Sequence, residues 1–143
     1  MEKINEEIRI GTVGNIDSGK STTISVLKNN ILDNGNGSAR NAIAKHKHEI
    51  TYGRTSDINN VFYRKNGKYI TFIDLCGHRK YFKTTLSGLT SGFIDYCMLI
   101  VAANKGLNRM GKQHLGIVLM LKLPLFIVIT KIDICPETIF KET

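Results

Sequence analysis

The residues from Gly14 to Ser21, Gly14-Asn15-Ile16-Asp17-Ser18-Gly19-Lys20-Ser21, are of the types and spacing that bind phosphate. They fit G-x-x-x-x-G-K-[ST] and lie between an apolar run ending at Val13 and a helical pattern beginning at Lys20. Glycine at both ends lets the backbone curl so that several N–H groups face one concavity. The helix that follows adds its positive terminus to this anion cradle. Asn15, Ile16, Asp17, Ser18, Gly19, Lys20, Ser21 and Thr22 are therefore the candidate phosphate binders. The Lys20 ammonium reaches the β- and γ-phosphates of a nucleotide, and the Ser21 hydroxyl is a hard oxygen ligand suited to Mg²⁺.

Two further groups have the right chemistry to complete such a site. Asp74-Leu75-Cys76-Gly77-His78 closes a β-rich run. A carboxylate at that strand end can hold the shell of a divalent cation. Gly77 lets its backbone N–H approach a γ-phosphate, and His78 can orient an attacking water. Taken alone, Asp74 reads equally well as a turn residue and His78 reads better as a surface histidine; the phosphate loop upstream shifts both toward catalysis. Thr130-Lys131-Ile132-Asp133 closes another apolar run. The Asp133 carboxylate can accept both the N1–H and the N2–H₂ of guanine, a donor pair that adenine lacks. The Lys131 stem can lie along the base plane. In isolation this would be a Lys-Asp pair on a solvated loop, and only its order and distance from the phosphate loop give it meaning.

The elements that must position these groups follow from periodicity. Residues 8–13 read as a strand, and residues 20–32 as a helix with Ile24, Leu27 and Ile31 on one face. Residues 33–41, rich in Gly, Asn and Ser, read as loop, and no clear period follows up to about residue 60. Residues 61–63 and 69–73 flank Asn66-Gly67, a hairpin signal. Phe82, Leu86, Leu89 and Phe93 share a helical face. Residues 96–102 and 125–129 are buried-type strands, with Leu115, Val118 and Leu119 marking a helix between them. After one antiparallel hairpin, strands and helices alternate. That pattern predicts an α/β fold, a mostly parallel sheet with helices on both faces.

Composition fits one domain: 143 residues, 42% hydrophobic and 22% charged. The longest apolar run, near residues 123–129, is broken by Pro124 and is too short to span a membrane. Met1-Glu2-Lys3 leads into a polar start with no signal-peptide pattern, so the expectation is a soluble, cytoplasmic protein with no membrane partner. The three cysteines, Cys76, Cys97 and Cys135, show no C-x-x-C spacing and read as reduced structural thiols. The net charge of +8 fits an anionic partner such as RNA or a nucleotide. However, the basic residues are scattered, and an Ile-, Lys- and Asn-rich composition accounts for the charge better.

Taken together, the phosphate loop, D-x-x-G-H and x-K-x-D in this order resemble the GTP-binding domain of translation-factor-class GTPases. Within that class the chain is similar to the elongation-factor-like GTP-binding protein (GTPBP) group, relatives of elongation factor 1-alpha. The similarity rests on residues 14–22, 32–35, 46–50, 53–56, 71–78, 80–85, 97–99 and 128–136. It implies a P-loop NTPase fold, GTP and GDP as ligands, Mg²⁺ as cofactor, and hydrolysis that is slow without a partner. It also implies that Thr55 is the switch threonine that closes on the metal, and that Asp17 helps hold a monovalent cation. A ribosome or RNA partner follows from the same class. His46 and His48 fall in the first switch region and read as loop residues rather than metal ligands. Thr130 departs from the usual Asn that opens the base-reading motif, which weakens one orienting hydrogen bond. The GTPase subunit of sulfate activation has a similar phosphate loop, but residues 53–56 and Cys76 do not fit its pattern. A catalytically weak nucleotide-binding or ribosome-interaction module is the alternative reading.

Against the family's full domain, residues 1–143 lack the last strand, the last helices and the barrel domains. The expectation is a C-terminally truncated domain with an exposed strand edge, weak self-association and low stability without nucleotide. The base-reading assignment gives one direct prediction. Asp133→Asn should shift preference from GTP toward xanthosine triphosphate in competitive binding, and a retained guanine preference would exclude Asp133 as the reader.

Overall fold

The computed structural model describes residues 5–44, 46–52 and 55–142. In chain order the elements are β1 (Asn5–Gly14), α1 (Lys20–Asn29), α2 (Ser38–Asn41), α3 (Lys47–Tyr52), β2 (Asn59–Lys65) and β3 (Lys68–Asp74). A 3-10 turn (Arg79–Tyr81) then leads into α4 (Phe82–Ser91), β4 (Tyr96–Ala102), α5 (Arg109–Met120), β5 (Leu125–Thr130) and α6 (Glu137–Glu142). The strands form one five-stranded sheet in the order β2-β3-β1-β4-β5. Only β2 runs antiparallel, paired with β3 through Asn66 and Gly67, whose φ values of 51° and 75° suit a tight primed hairpin turn.

Alternation along the strands divides the core in two. Val13, Ile73, Leu75, Cys97, Leu99 and Val101 point to one face, where Leu89 of α4 and Val118 of α5 cover them. Phe72, Met98 and Ile100 point to the other, covered by Ile24 of α1 and by Ile43. Each such side chain, fully buried, stabilises the fold by roughly 1.5–3 kcal/mol. The expected α/β sheet with helices on both faces is therefore the fold of the chain.

Register places the functional strand ends at one edge. Thr12 pairs with Asp74, Gly14 with Ile100, and Ala102 with Thr130. The chain order reverses at β1, whose neighbours β3 and β4 lie on opposite sides. In open parallel sheets, ligands bind at such a switch point, outside the carboxyl ends of the strands.

The helix boundaries differ from the periodic reading in specific ways. α1 stops at Asn29 because Asn30 turns left-handed at φ 54° and its N–H caps Val26. Ile31 and Leu32 are therefore 68% and 82% exposed rather than on a helical face. Phe93 lies past the end of α4 at φ 47° and is 83% exposed. On α5 the inner face is Gly111, His114 and Val118, while Leu119 is exposed. Asn108 caps this helix by accepting from the Gly111 N–H at 3.0 Å. α2, α3 and α6 were not evident from hydrophobic period. At the sheet edge, Phe126, Ile127 and Ile129 of β5 are exposed. Among the described residues, no helix is long and apolar enough to cross a membrane.

Candidate functional site

The loop between β1 and α1 is shaped by positive φ angles that few residues accept. Gly14 has φ 149°, and a Cβ there would collide with the Ile100 carbonyl of β4. Asp17 and Gly19 have φ 57° and 91°. Glycine is thus required at Gly14 by close approach and at Gly19 by conformation. The helix that follows, KSTTISVLKN, is rich in β-branched residues and is a poor helix former by propensity. Packing of the fully buried Ile24 holds it in place, which fixes the direction of its N-terminus.

Lys20 opens α1, is 7% exposed, and donates from Nζ to the Asn15 carbonyl at 2.8 Å. Its ammonium therefore lies folded over the loop that precedes it. Burial lowers the Lys20 pKa, while Asp74, Cys76 and Asp17 act in the opposite direction. Asp74, 1% exposed, is the last residue of β3. Burial raises its carboxyl to about 6, against the Ser21 hydrogen bond and the Lys20 cation. Both groups are thus pushed toward neutrality by desolvation and held charged by their neighbours.

Ser21 Oγ donates to Asp74 Oδ2 at 2.5 Å, and Thr55 Oγ1 lies 3.0 Å from the same Ser21 oxygen. A serine has one hydroxyl proton, so Thr55 is the donor in the second contact. Asp74 Oδ1 is buried and has no hydrogen-bond partner among the described residues. Two hydroxyls and an orphaned carboxylate oxygen around one cavity form a hard-oxygen donor set, which fits Mg²⁺. Gly77 approaches so closely that a Cβ would strike Lys20 Nζ, with the Asn15 carbonyl at 2.9 Å. The buried Thr85 hydroxyl anchors this segment by donating to the Cys76 carbonyl at 2.7 Å.

His78 is half-buried. Its Nδ1 accepts from the Lys80 N–H at 3.1 Å, and its ring lies 6.2 Å from that of Tyr81. With Nδ1 used as an acceptor, the neutral ring carries its proton on Nε2. No hydrogen bond joins His78 to Lys20, Ser21 or Asp74 among the described residues.

Thr130 connects the end of β5 to the loop. Its Oγ1 donates to the Ser18 carbonyl at 2.6 Å, and its methyl lies 3.7 Å from where a Gly19 Cβ would stand. Lys131 follows with φ 58°, and Asp133 is exposed in the turn beyond. Of the sequence-predicted residues, Ser21, Thr55 and Asp74 line one cavity, while Asn15, Ile16 and Ser18 border a second; Lys20 and Gly77 meet at the Asn15 carbonyl, and Thr130 is bonded to the Ser18 carbonyl. Asp133 lies exposed in the turn beyond β5, and His78 follows Gly77 half-buried. Gly53, Arg54 and the His48 side chain lie outside the described residues; His46 is exposed. Among the described residues, no cluster of His, Cys, Asp and Glu is large enough to suggest another metal site. Cys76, Cys97 and Cys135 are free thiols.

Two buried groups escaped sequence reasoning. Glu49 is 7% exposed and lines the cavity with Ser21, Thr55 and Asp74. Its signal was its place three residues after His46, the spacing of a capping box. His114 is fully buried beneath the loop and stacks on Phe82 at 5.8 Å, with no partner in good geometry for either ring nitrogen. Burial and the Lys20 cation lower its pKa to about 4, the Gly14 peptide opposing weakly.

A loop of this shape between a strand and a helix, with two further strand ends at the same sheet edge, is that of a P-loop nucleotide-binding fold. Residues 5–143 match the family described as the Elongation factor Tu GTP binding domain, and the chain belongs to that family of translation-factor-class GTPases. It is 44% identical to GTP-binding protein 1 of Xenopus laevis over 96% of this chain and 25% of that protein. It is 42% identical to human GTP-binding protein 2, again over 96% of this chain and 26% of the relative. It thus spans about a quarter of the length of these curated relatives. The fold also matches the crystal structure of translation elongation factor SelB from Methanococcus maripaludis in complex with the GTP analogue GPPNHP. That match has a TM-score of 0.71 and 25% identity, and it covers 95% of this chain and 24% of the other.

His114 gives a prediction about stability. Between about pH 6.5 and pH 4 the unfolded histidine takes a proton that the folded one refuses, so stability falls on acidification through that window. The raised Asp74 carboxyl acts with the opposite sign over a similar range. The comparison must therefore be between the wild type and His114→Gln. Chemical denaturation at pH 7 and pH 4 should show wild-type stability dropping relative to the variant by about 3 kcal/mol. Parallel pH profiles would contradict it.

Proposed function

We propose that this chain binds GTP and Mg²⁺ in the described cavity and hydrolyses GTP slowly to GDP and phosphate. The meeting of Ser21, Thr55 and Asp74 at one cavity, with Lys20 and Gly77 packed at the Asn15 carbonyl and Thr130 tied to Ser18, carries this reading. The amides of residues 15–22 and the Lys20 ammonium bind the phosphates and offset the charge that develops on them. Gly77 presents its N–H to the terminal phosphate with no side chain intervening. Ser21, Thr55 and Asp74 are the residues that would hold Mg²⁺. When bound, that ion neutralises phosphate charge as the bond to the leaving group breaks. Asp17, at the exposed lip of the loop, is the group we assign to a monovalent cation. Asp133 accepts the guanine N–H groups, Lys131 lines the base plane, and Thr130 acts on the loop.

His78 orients the water. With its proton on Nε2 it donates toward the attacking oxygen rather than removing a proton from it. We place unassisted turnover on the order of 10⁻⁴ to 10⁻² per second, the range of GTPases without a partner. A ribosome or RNA is the partner we assign, on the strength of the family. A cytoplasmic location follows from the same assignment. We take residues 1–143 to form a partial GTP-binding domain.

His78→Ala should retain GTP affinity within about twofold. Its single-turnover hydrolysis should fall by roughly a hundredfold, the lower range for loss of a positioned proton-transfer or orienting group. Unchanged hydrolysis would exclude the assigned role.

A further inference from the structure

We propose that Glu49 is the positioning residue that latches the first switch segment, holding Thr55 where its hydroxyl can reach the metal site. The inference rests on the GTP- and Mg²⁺-binding reading above and adds a residue to it. The carboxylate is almost fully buried, a costly position unless its oxygens are satisfied. Oε2 accepts from the His46 N–H at 3.1 Å, closing the start of α3 as the returning half of a capping box. Oε1 accepts from the Ser56 N–H at 2.8 Å and from the Ser56 hydroxyl at 3.1 Å. One side chain therefore joins the chain entering α3 to the chain leaving the segment after it.

Ser56 directly follows Thr55, so fixing the Ser56 amide fixes the peptide that carries the Thr55 carbonyl. The Thr55 hydroxyl then stands 3.0 Å from Ser21 Oγ, itself 2.5 Å from Asp74. Asn59 braces the same region from the other side by donating from Nδ2 to the Ile43 carbonyl at 2.5 Å. Glu49 borders the cavity with both carboxylate oxygens engaged by protein donors, so it acts as a holder of Thr55 rather than as a metal ligand. Ordering each residue of this segment costs about 1–2 kcal/mol. The charge-assisted bonds to Glu49 meet part of that cost.

The latch predicts a split between nucleotides. Thr55 matters only when a γ-phosphate and Mg²⁺ are present, so triphosphate binding should depend on Glu49 and diphosphate binding should not. The experiment is calorimetric titration of wild type, Glu49→Gln, Ser56→Ala, Thr55→Ala and the Glu49→Gln/Thr55→Ala double variant. The probes are GDP and a non-hydrolysable GTP analogue, each with Mg²⁺. Glu49→Gln should weaken the GTP analogue by about tenfold, the equivalent of a hydrogen bond to a charged group, while GDP changes less than threefold. Ser56→Ala, a milder change that keeps the backbone donor, should weaken it in the same direction by less. Once Thr55 is gone, Glu49→Gln should add nothing further. Equal weakening of both nucleotides, an unchanged GTP analogue affinity, or full additivity with Thr55→Ala would overturn the latch. Failure of the wild type to bind either guanine nucleotide would instead overturn the reading on which it rests.

Discussion

The site depends on keeping a lysine cation and an aspartate carboxylate buried together at the carboxyl edge of the sheet. Desolvating an ion costs several kcal/mol, and neither Lys20 nor Asp74 has the other as a direct hydrogen-bond partner. Lys20 is instead satisfied by the Asn15 carbonyl and Asp74 by the Ser21 hydroxyl. One Asp74 oxygen is left without a partner. That arrangement leaves a buried cation on one side and, among the described residues, a free acceptor on the other, which is what a phosphate and a metal ion would complete. The core on both faces of the sheet supplies the stability that lets the site remain in this unsatisfied state.

The rest of the fold serves that arrangement. Parallel pairing of β1 with β3 and β4 brings Gly14, Asp74 and the peptides after them to one edge. Glycine at Gly14 and Gly77 removes Cβ atoms that would meet the Ile100 carbonyl and Lys20. Thr130 has its hydroxyl on the Ser18 carbonyl, so the threonine standing in place of the usual asparagine ties β5 to the phosphate loop. The short side chain thus holds the loop.

The phosphate loop and both strand-end motifs were legible because each needs particular residue types at fixed spacing, and the strands because Tyr96–Ala102 and Leu125–Thr130 are continuous apolar runs. What was hidden depended on single backbone events or tertiary context. A left-handed Asn30 ended α1 early and exposed Ile31 and Leu32. Phe93 fitted the helical period but lay beyond the Gly92 cap. α3 has no apolar stripe and is organised by Glu49, a polar side chain whose burial no periodicity reveals. His114, a polar residue that the apolar period of α5 passes over, faces inward against Phe82.

The central claim is that a guanosine polyphosphate occupies the amide cradle of the first loop and is read by Asp133. Calorimetric titration of the purified chain with GDP and with ADP, each in excess Mg²⁺, tests it most directly. One GDP should bind per chain, at least about a hundredfold more tightly than ADP, the scale on which a site built for specific donors rejects a base that lacks them. No binding of GDP, or equal affinity for the two nucleotides, would contradict the account.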